Sequence, residues 1–274
     1  MQQLRARWNT AGSLVCVGLD PEPARFAARF AGDADAVFAF CRDIVDATAE
    51  YACCFKPQIA HFAALGAERA LEQLIGHVHA AHPGIPVILD AKRGDIGSTA
   101  QRYAIEAFDR YGADAVTANP YLGRDSLQPF LDRADRGVVI LCRTSNPGAA
   151  DLQDLVVSPR DGRPARPLYQ HVAEQVAREW NGHGNCMLVV GATWPEQLRE
   201  VRGIVGDALP FLVPGVGAQG GDADAVVRNA KTADGTGLVV SSSRAILYAS
   251  PGDDYAEAAA AAARDLRDTL NRAR

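Results

Sequence analysis

A chain of 274 residues that is 48% hydrophobic and 22% charged has the apolar mass for a sizeable core, which excludes a disordered tail or a small stapled peptide. Its net charge of −5 leaves no electrostatic footprint for nucleic acid or anionic lipid, although a local basic pocket for a phosphate is compatible with it. No run of about eighteen apolar residues occurs, and the first apolar stretch stops at Asp20, so neither a membrane span nor a signal-peptide core is expected and the protein reads as cytoplasmic.

In chain order, short apolar runs alternate with stretches of helical spacing. Strand-like runs begin at Ser13 (SLVCVGL), Ala52 (ACCF), Val87 (VILDA), Asp114 (DAVTA), Gly137 (GVVIL), Cys186 (CMLVV), Pro210 (PFLVP) and Gly237 (GLVVS). Helical spacing follows over 35–51, 61–81, 97–111, 166–180, 195–205 and 222–230, and an Ala-rich closing helix is expected at 256–270. About eight βα units predict an α/β chain folded as a single (β/α)8 TIM barrel over 1–274. A doubly wound sheet would carry its glycine fingerprint after the first strand, where this chain has GLDPEP. The Gly-rich turns instead follow the last two strands, where barrels build phosphate sites. One connection, 144–167 after the fifth strand, is long enough to predict a partly mobile flap over the barrel mouth. The six cysteines include no CxxC and sit mostly in apolar runs, so they read as reduced packing residues.

Charge gathers at the ends of the first three strands. Asp90 and Lys92 lie two apart in VILDAKRGDIGSTA, so alternation points both to the barrel mouth; Asp95 follows in the turn, Lys56 ends the second strand before Pro57, and Asp20 ends the first. Taken singly, each has a structural account: Asp95 as a helix cap, Lys92 in an ion pair, Lys56 snorkelling. Burying all of them at one barrel end without a purpose would cost several kcal/mol, by the general penalty for desolvating ions.

FKP at Lys56, DAKRGDIGSTA, NPYLGRDSL, PGVGAQGGD and SSSRAI together resemble the orotidine 5'-phosphate decarboxylase family, in its longer bacterial and mycobacterial-type form. The resemblance spans nearly the whole chain, from GLDPEP to SSSRAI. It implies decarboxylation of orotidine 5'-monophosphate to UMP, the last step of pyrimidine synthesis, with no metal and no cofactor. It also implies a catalytic Lys–Asp–Lys–Asp network at Lys56, Asp90, Lys92 and Asp95, and a homodimer in which Asp95, Ile96 and Thr99 serve the neighbouring site. Substrate contacts carried by the resemblance are Asp20 to the ribose, Ser145 to the pyrimidine amide edge, Pro214 to the ring, and Gln219 and Arg244 to the phosphate. The chain departs from the shorter family form at Pro57, at GAQGGD and at SSSR, which bears on the phosphate contacts.

The residue types also have an independent logic. Loss of carbon dioxide from carbon 6 of a pyrimidine leaves an electron pair that the ring π system cannot delocalise, and a fixed ammonium such as Lys92 both stabilises it and supplies a proton. The glycines around Gln219 expose backbone N–H groups and Arg244 offers a bidentate partner for a dianion; glycines alone would serve tight turns, but an Arg at both a helix start and a barrel mouth suits an anion. Asn119 and Tyr121, at the end of the fourth strand, either line the mouth or support its turn.

Two further readings are weaker. His77, His79 and His82 have spacings that do not align on one helix face, so they read as a solvated helix end and no metal site is expected. A Schiff-base role for Lys92 is disfavoured by its acidic neighbours, which keep an amine protonated. The rival functions are a metal-dependent sugar-phosphate enzyme on the same barrel and a noncatalytic phosphate-ligand binder.

Overall fold

The computed structural model describes residues 1–274 other than 32, 34, 160, 161, 163 and 217–220. Each of the eight apolar runs becomes a strand: β1 (Val15–Leu19), β2 (Cys54–Pro57), β3 (Ile88–Arg93), β4 (Ala115–Ala118), β5 (Gly137–Arg143), β6 (Cys186–Val190), β7 (Phe211–Pro214) and β8 (Leu238–Ser242). All neighbours pair parallel, in the order β2-β1-β8-β7-β6-β5-β4-β3. Bridges from Phe55 to Val87 and from Gln58 to Asp90 join the two outer strands, so the sheet closes into a TIM barrel. Strands covered on both faces must be apolar on both faces, which is why β1, β4 and β6 are buried at every position.

Outer helices fill the connections, among them Ala36–Thr48, Glu68–Ala81, Gly97–Ile105, Leu168–Gln175, Pro195–Val205, Ala223–Ala230 and Tyr255–Arg272. The stretch expected as one helix over 61–81 is two, Ile59–Ala63 and Glu68–Ala81, because Gly66 takes a left-handed conformation (φ 65°) that ends the first. Two of the longer helices were not foreseen. Gln2–Thr10 buries only Leu4 and Trp8, too few positions to register as a period, and Arg124–Leu131 carries Pro129, which reads as a breaker.

The described part of the long connection after β5 carries structure of its own. It forms a turn at Pro147–Ala149, a helix at Ala150–Gln153 and a short antiparallel ladder pairing Val156–Val157 with Arg166–Pro167. Its root is fastened from the end of β5, where the buried Arg143 donates from Nη2 to Asp154 Oδ2 at 3.0 Å and stacks 4.5 Å over the Trp194 ring. The Thr144 N–H donates to Gln153 Oε1 at 2.8 Å. Leu152, Leu155 and Val156 on it are exposed.

The core joins both faces of the barrel wall. Trp8, 1% exposed, brings the N-terminal helix into it. Removing its ring should cost about 3–5 kcal/mol, the usual range for truncating a buried Trp. A Trp8→Ala chain should therefore unfold at a clearly lower urea concentration with an unchanged denaturant slope.

Candidate active site

Strand register brings the charged ends level. Lys56 on β2 lies opposite Gly18 on β1, Asp90 on β3 is bridged to Gln58 just past β2, and Ser242 on β8 lies opposite Val17 on β1. Four of the expected charges therefore share the C-terminal rim: Asp20, Lys56, Asp90 and Lys92.

Asp90 is the hub. Its Oδ2 accepts from Lys56 Nζ at 2.9 Å, and its Oδ1 accepts from Lys92 Nζ at 2.6 Å and from Thr117 Oγ1 at 2.9 Å. Lys56 and Asp90 are buried, at 6% and 7% exposure, whereas the Lys92 side chain is 47% exposed at the mouth. Burial is the largest influence on Asp90 and pushes its carboxyl up, but Lys56 and then Lys92 together outweigh it and hold the group well below the usual carboxylate range. Burial likewise opposes the charge on Lys56, and the attraction of Asp90 and Asp20 overcomes it, raising the ammonium above the ordinary lysine value.

Asp90 and Lys92 meet, but not by regular alternation. Lys92 is the one non-glycine residue with positive φ (48°) among the described residues, and the β3–β4 register shifts between Leu89 and Arg93. A left-handed lysine in a strand is strained and persists only where its surroundings hold it. Thr117 on β4 does this, since its Oγ1 accepts from the N–H groups of Ala91 (2.9 Å) and Lys92 (2.8 Å) while donating to Asp90. The sequence reading missed Thr117; its only signal was a hydroxyl one position from the end of a strand beside the DxK strand.

Asp95 departs from the expected crowd. Its Oδ1 accepts from the Ile96 N–H at 2.8 Å, and among the described residues it bonds neither lysine of its own chain. The turn carries it away: Ile96 is extended and 58% exposed, the helix begins at Gly97, and Thr99 is exposed on it. Asp95 does not cap that helix, which has no side-chain cap.

Asp20 is held from two sides. Ser243 Oγ donates to Asp20 Oδ2 at 2.5 Å, and Tyr248 Oη donates to the Asp20 carbonyl at 3.0 Å while accepting from the Glu22 N–H at 2.7 Å. Gly18 makes room for this contact, because a Cβ there would lie 2.2 Å from Ser243 Oγ. Asp20 Oδ1 is buried and has no partner among the described residues, which leaves one acceptor available. Ser243 was quoted in the SSSR motif without a role, and the register of β8 against β1 supplies it.

The remaining candidates sit around the same rim. Ser145 is half-buried at the root of the long connection, its carbonyl accepts from Thr193 Oγ1 at 3.4 Å, and a Cβ on Gly191 would come within 2.7 Å of its Cα. Pro214 ends β7, half-buried, and its carbonyl accepts from the Ala192 N–H at 2.9 Å. Gln219 lies outside the described residues; at the base of its turn the Gly221 N–H donates to the Gly215 carbonyl at 3.2 Å. Arg244 opens the short helix Arg244–Leu247 directly after β8, is exposed, and has no side-chain partner among the described residues. Asn119 supports its turn, accepting from the Tyr121 N–H at 3.0 Å, and Tyr121 is exposed. A separate cavity of about 1020 Å³ between the β4 and β5 connections, lined by residues such as Tyr121, Leu152 and Tyr169, includes none of the lysine–carboxylate residues.

A closed barrel with a lysine–aspartate–lysine array at its C-terminal rim has the architecture of a (β/α)8 enzyme, in which the chemistry sits at the C-terminal ends of the strands. Residues 13–261 match the model of the orotidine 5'-phosphate decarboxylase / HUMPS family. The chain is 60% identical over its full length to an orotidine 5'-phosphate decarboxylase of Aromatoleum aromaticum, covering 99% of that protein, and 59% identical to one of Bordetella petrii, covering 98%. Among solved structures, the OMP decarboxylase of Leishmania donovani superposes with a TM-score of 0.84 at 41% identity, over 99% of this chain and 97% of the other. The chain belongs to the orotidine 5'-phosphate decarboxylase / HUMPS family.

The Asp90 network has a consequence for acid stability. A carboxyl whose folded pKa lies below its unfolded value of about 3.9 contributes stability above that pH and loses it as pH falls through the folded value. The stability difference between wild type and Asp90→Asn should therefore be greatest above about pH 4 and shrink below it. Denaturant titrations at several acidic pH values measure this; a difference that stays constant down to about pH 2 would show that Asp90 is not held ionised by the lysines.

Proposed function

We propose that this orotidine 5'-phosphate decarboxylase, an enzyme of pyrimidine synthesis, converts orotidine 5'-monophosphate to UMP and carbon dioxide by using Lys92 to stabilise and then protonate carbon 6. One observation carries the reading: an ammonium at the barrel mouth, bonded at 2.6 Å to a buried carboxylate that a second, buried lysine holds from behind. The bond from carbon 6 to the carboxyl carbon breaks and its electron pair stays on carbon 6 in the plane of the ring. Lys92 faces that pair as a fixed positive charge, gives it an Nζ proton and recovers a proton from solvent.

Asp90 holds Lys92 oriented and charged. It also faces the substrate carboxylate, and two like charges about 4 Å apart repel by roughly 4 kcal/mol at an effective dielectric near 20. Lys56 balances the charge of Asp90, so the carboxylate remains ionised although buried. The term that lowers the barrier is the ammonium, since only its interaction strengthens as charge develops on carbon 6.

Binding energy comes from the far end of the nucleotide. Arg244 and Gln219, with the backbone of the Gly-rich turn after β7, take the phosphate; Asp20 uses its open Oδ1 for a ribose hydroxyl; Ser145 reads the amide edge of the base and Pro214 lies against the ring. Contacts remote from the reacting carbon hold the ring in register. The active form is a homodimer in the cytoplasm. Asp95, Ile96 and Thr99, which leave their own network, complete the site of the neighbouring subunit, and the exposure of Ile96 supports this.

Lys92→Ala should bind UMP and lose turnover by several orders of magnitude, measured by the absorbance change of orotidine 5'-monophosphate in excess chelator. Near-native turnover in that variant would overturn the assignment, and loss of wild-type turnover on chelation would point instead to a metal-dependent sugar-phosphate enzyme. Mixing Lys92→Ala with Asp95→Ala chains should restore activity through hybrid dimers that pair one intact Lys92 with one intact Asp95. No recovery from a mixture shown to exchange subunits would refute the shared site.

A further inference from the structure

Three ligating side chains converge at the opposite end of the barrel. Asp46 lies near the end of helix Ala36–Thr48, His77 in the last turns of helix Glu68–Ala81, and His82 at that helix's C-cap. Both His77 Nε2 and His82 Nε2 lie 2.7 Å from the same oxygen, Asp46 Oδ1, and the three ligand atoms fall within 4.8 Å of one another. Helical spacing predicts that residues five apart diverge, but His82 has left the helix (φ −129°, ψ 60°), and its ring returns to within 6.0 Å of the His77 ring.

Among the described residues, the nearby charged side chains make their close contacts elsewhere. Arg42, one turn before Asp46, is turned to Asp43 at 2.7 Å, and His79 pairs with Asp114 at 2.9 Å. All three side chains are partly exposed, so an ion can enter from solvent and keep water in its remaining positions. The six cysteines are buried and offer no competing thiolate at the surface.

We propose that Asp46, His77 and His82 form a binding site for a divalent transition ion of the zinc type. Two imidazole nitrogens and one carboxylate oxygen match the donor preference of Zn²⁺ and Co²⁺, whereas Mg²⁺ and Ca²⁺ favour all-oxygen sets. Each ring presents an Nε2 lone pair once its proton sits on Nδ1, and a metal at the centre replaces the two contacts to Asp46 with three coordination bonds. The ion would clip two outer helices together at the face where the strands begin. Lys56, Asp90 and Lys92 occupy the ends of β2 and β3, so the site acts on stability and not on the reaction.

The test uses the full chain, stripped with chelator and titrated with Zn²⁺ or Co²⁺ in calorimetry and thermal melts. Wild type and His79→Ala should each bind one ion per chain, and Co²⁺ should give the visible bands of a low-coordinate nitrogen–oxygen site. Melting temperature should rise by roughly 5 °C at about a hundredfold excess over Kd. His77→Ala/His82→Ala should lose the binding and the shift, and Asp46→Asn should weaken binding at least tenfold. Unchanged decarboxylation rates would show that these variants fold. Absence of saturable binding in wild type, or unaltered binding in the double variant, would overturn the proposal.

Discussion

Everything at the rim of this barrel depends on one buried carboxylate shared by two ammonium groups. An ion removed from water loses several kcal/mol of solvation, and Asp90 tolerates this because Lys56 and Lys92 approach within 2.9 and 2.6 Å and Thr117 adds a third bond. The arrangement is asymmetric by burial. Lys56 is enclosed beside Asp90, while the Lys92 side chain is about half exposed at the mouth. Removing Asp90 would strand the buried lysine.

The barrel turns this local balance into a site. Parallel register levels the strand ends, so that a threonine on β4 reaches back to the strained turn of β3 and a serine after β8 reaches the aspartate after β1. The two groups lie at different parts of one rim. The β2–β3 side carries the lysine–aspartate array, and the β7–β8 side carries Arg244. On the proposed reading, a nucleotide monophosphate spans both, its anionic tail remote from its reactive carbon.

The eight strands were legible because parallel strands packed on both faces must be continuously apolar. The helix at Gln2–Thr10 was not, since two buried residues one turn apart make no pattern, and Gly66 split a helix whose apolar spacing reads straight through it. Lys56, Asp90 and Lys92 were legible as strand-end charges, an expensive thing to cluster. Thr117 and Ser243 were invisible because an uncharged hydroxyl acquires its meaning from the strand beside it, and register is not written in local sequence. Alternation put Asp90 and Lys92 together for a reason only half right, as a left-handed backbone at Lys92 completes the approach. Likewise, helical spacing hid the meeting of His77 and His82, because the second lies beyond the helix to which the rule applies.

A crystal structure of the enzyme with UMP bound tests the central claim most directly. Lys92 Nζ should lie within about 3.5 Å of carbon 6 while still bonded to Asp90, with the phosphate at Arg244 and Asp95 of the other subunit on the far side of the ammonium. A nucleotide seated in the barrel with Lys92 turned to solvent, or with carbon 6 facing some other group, would contradict the account.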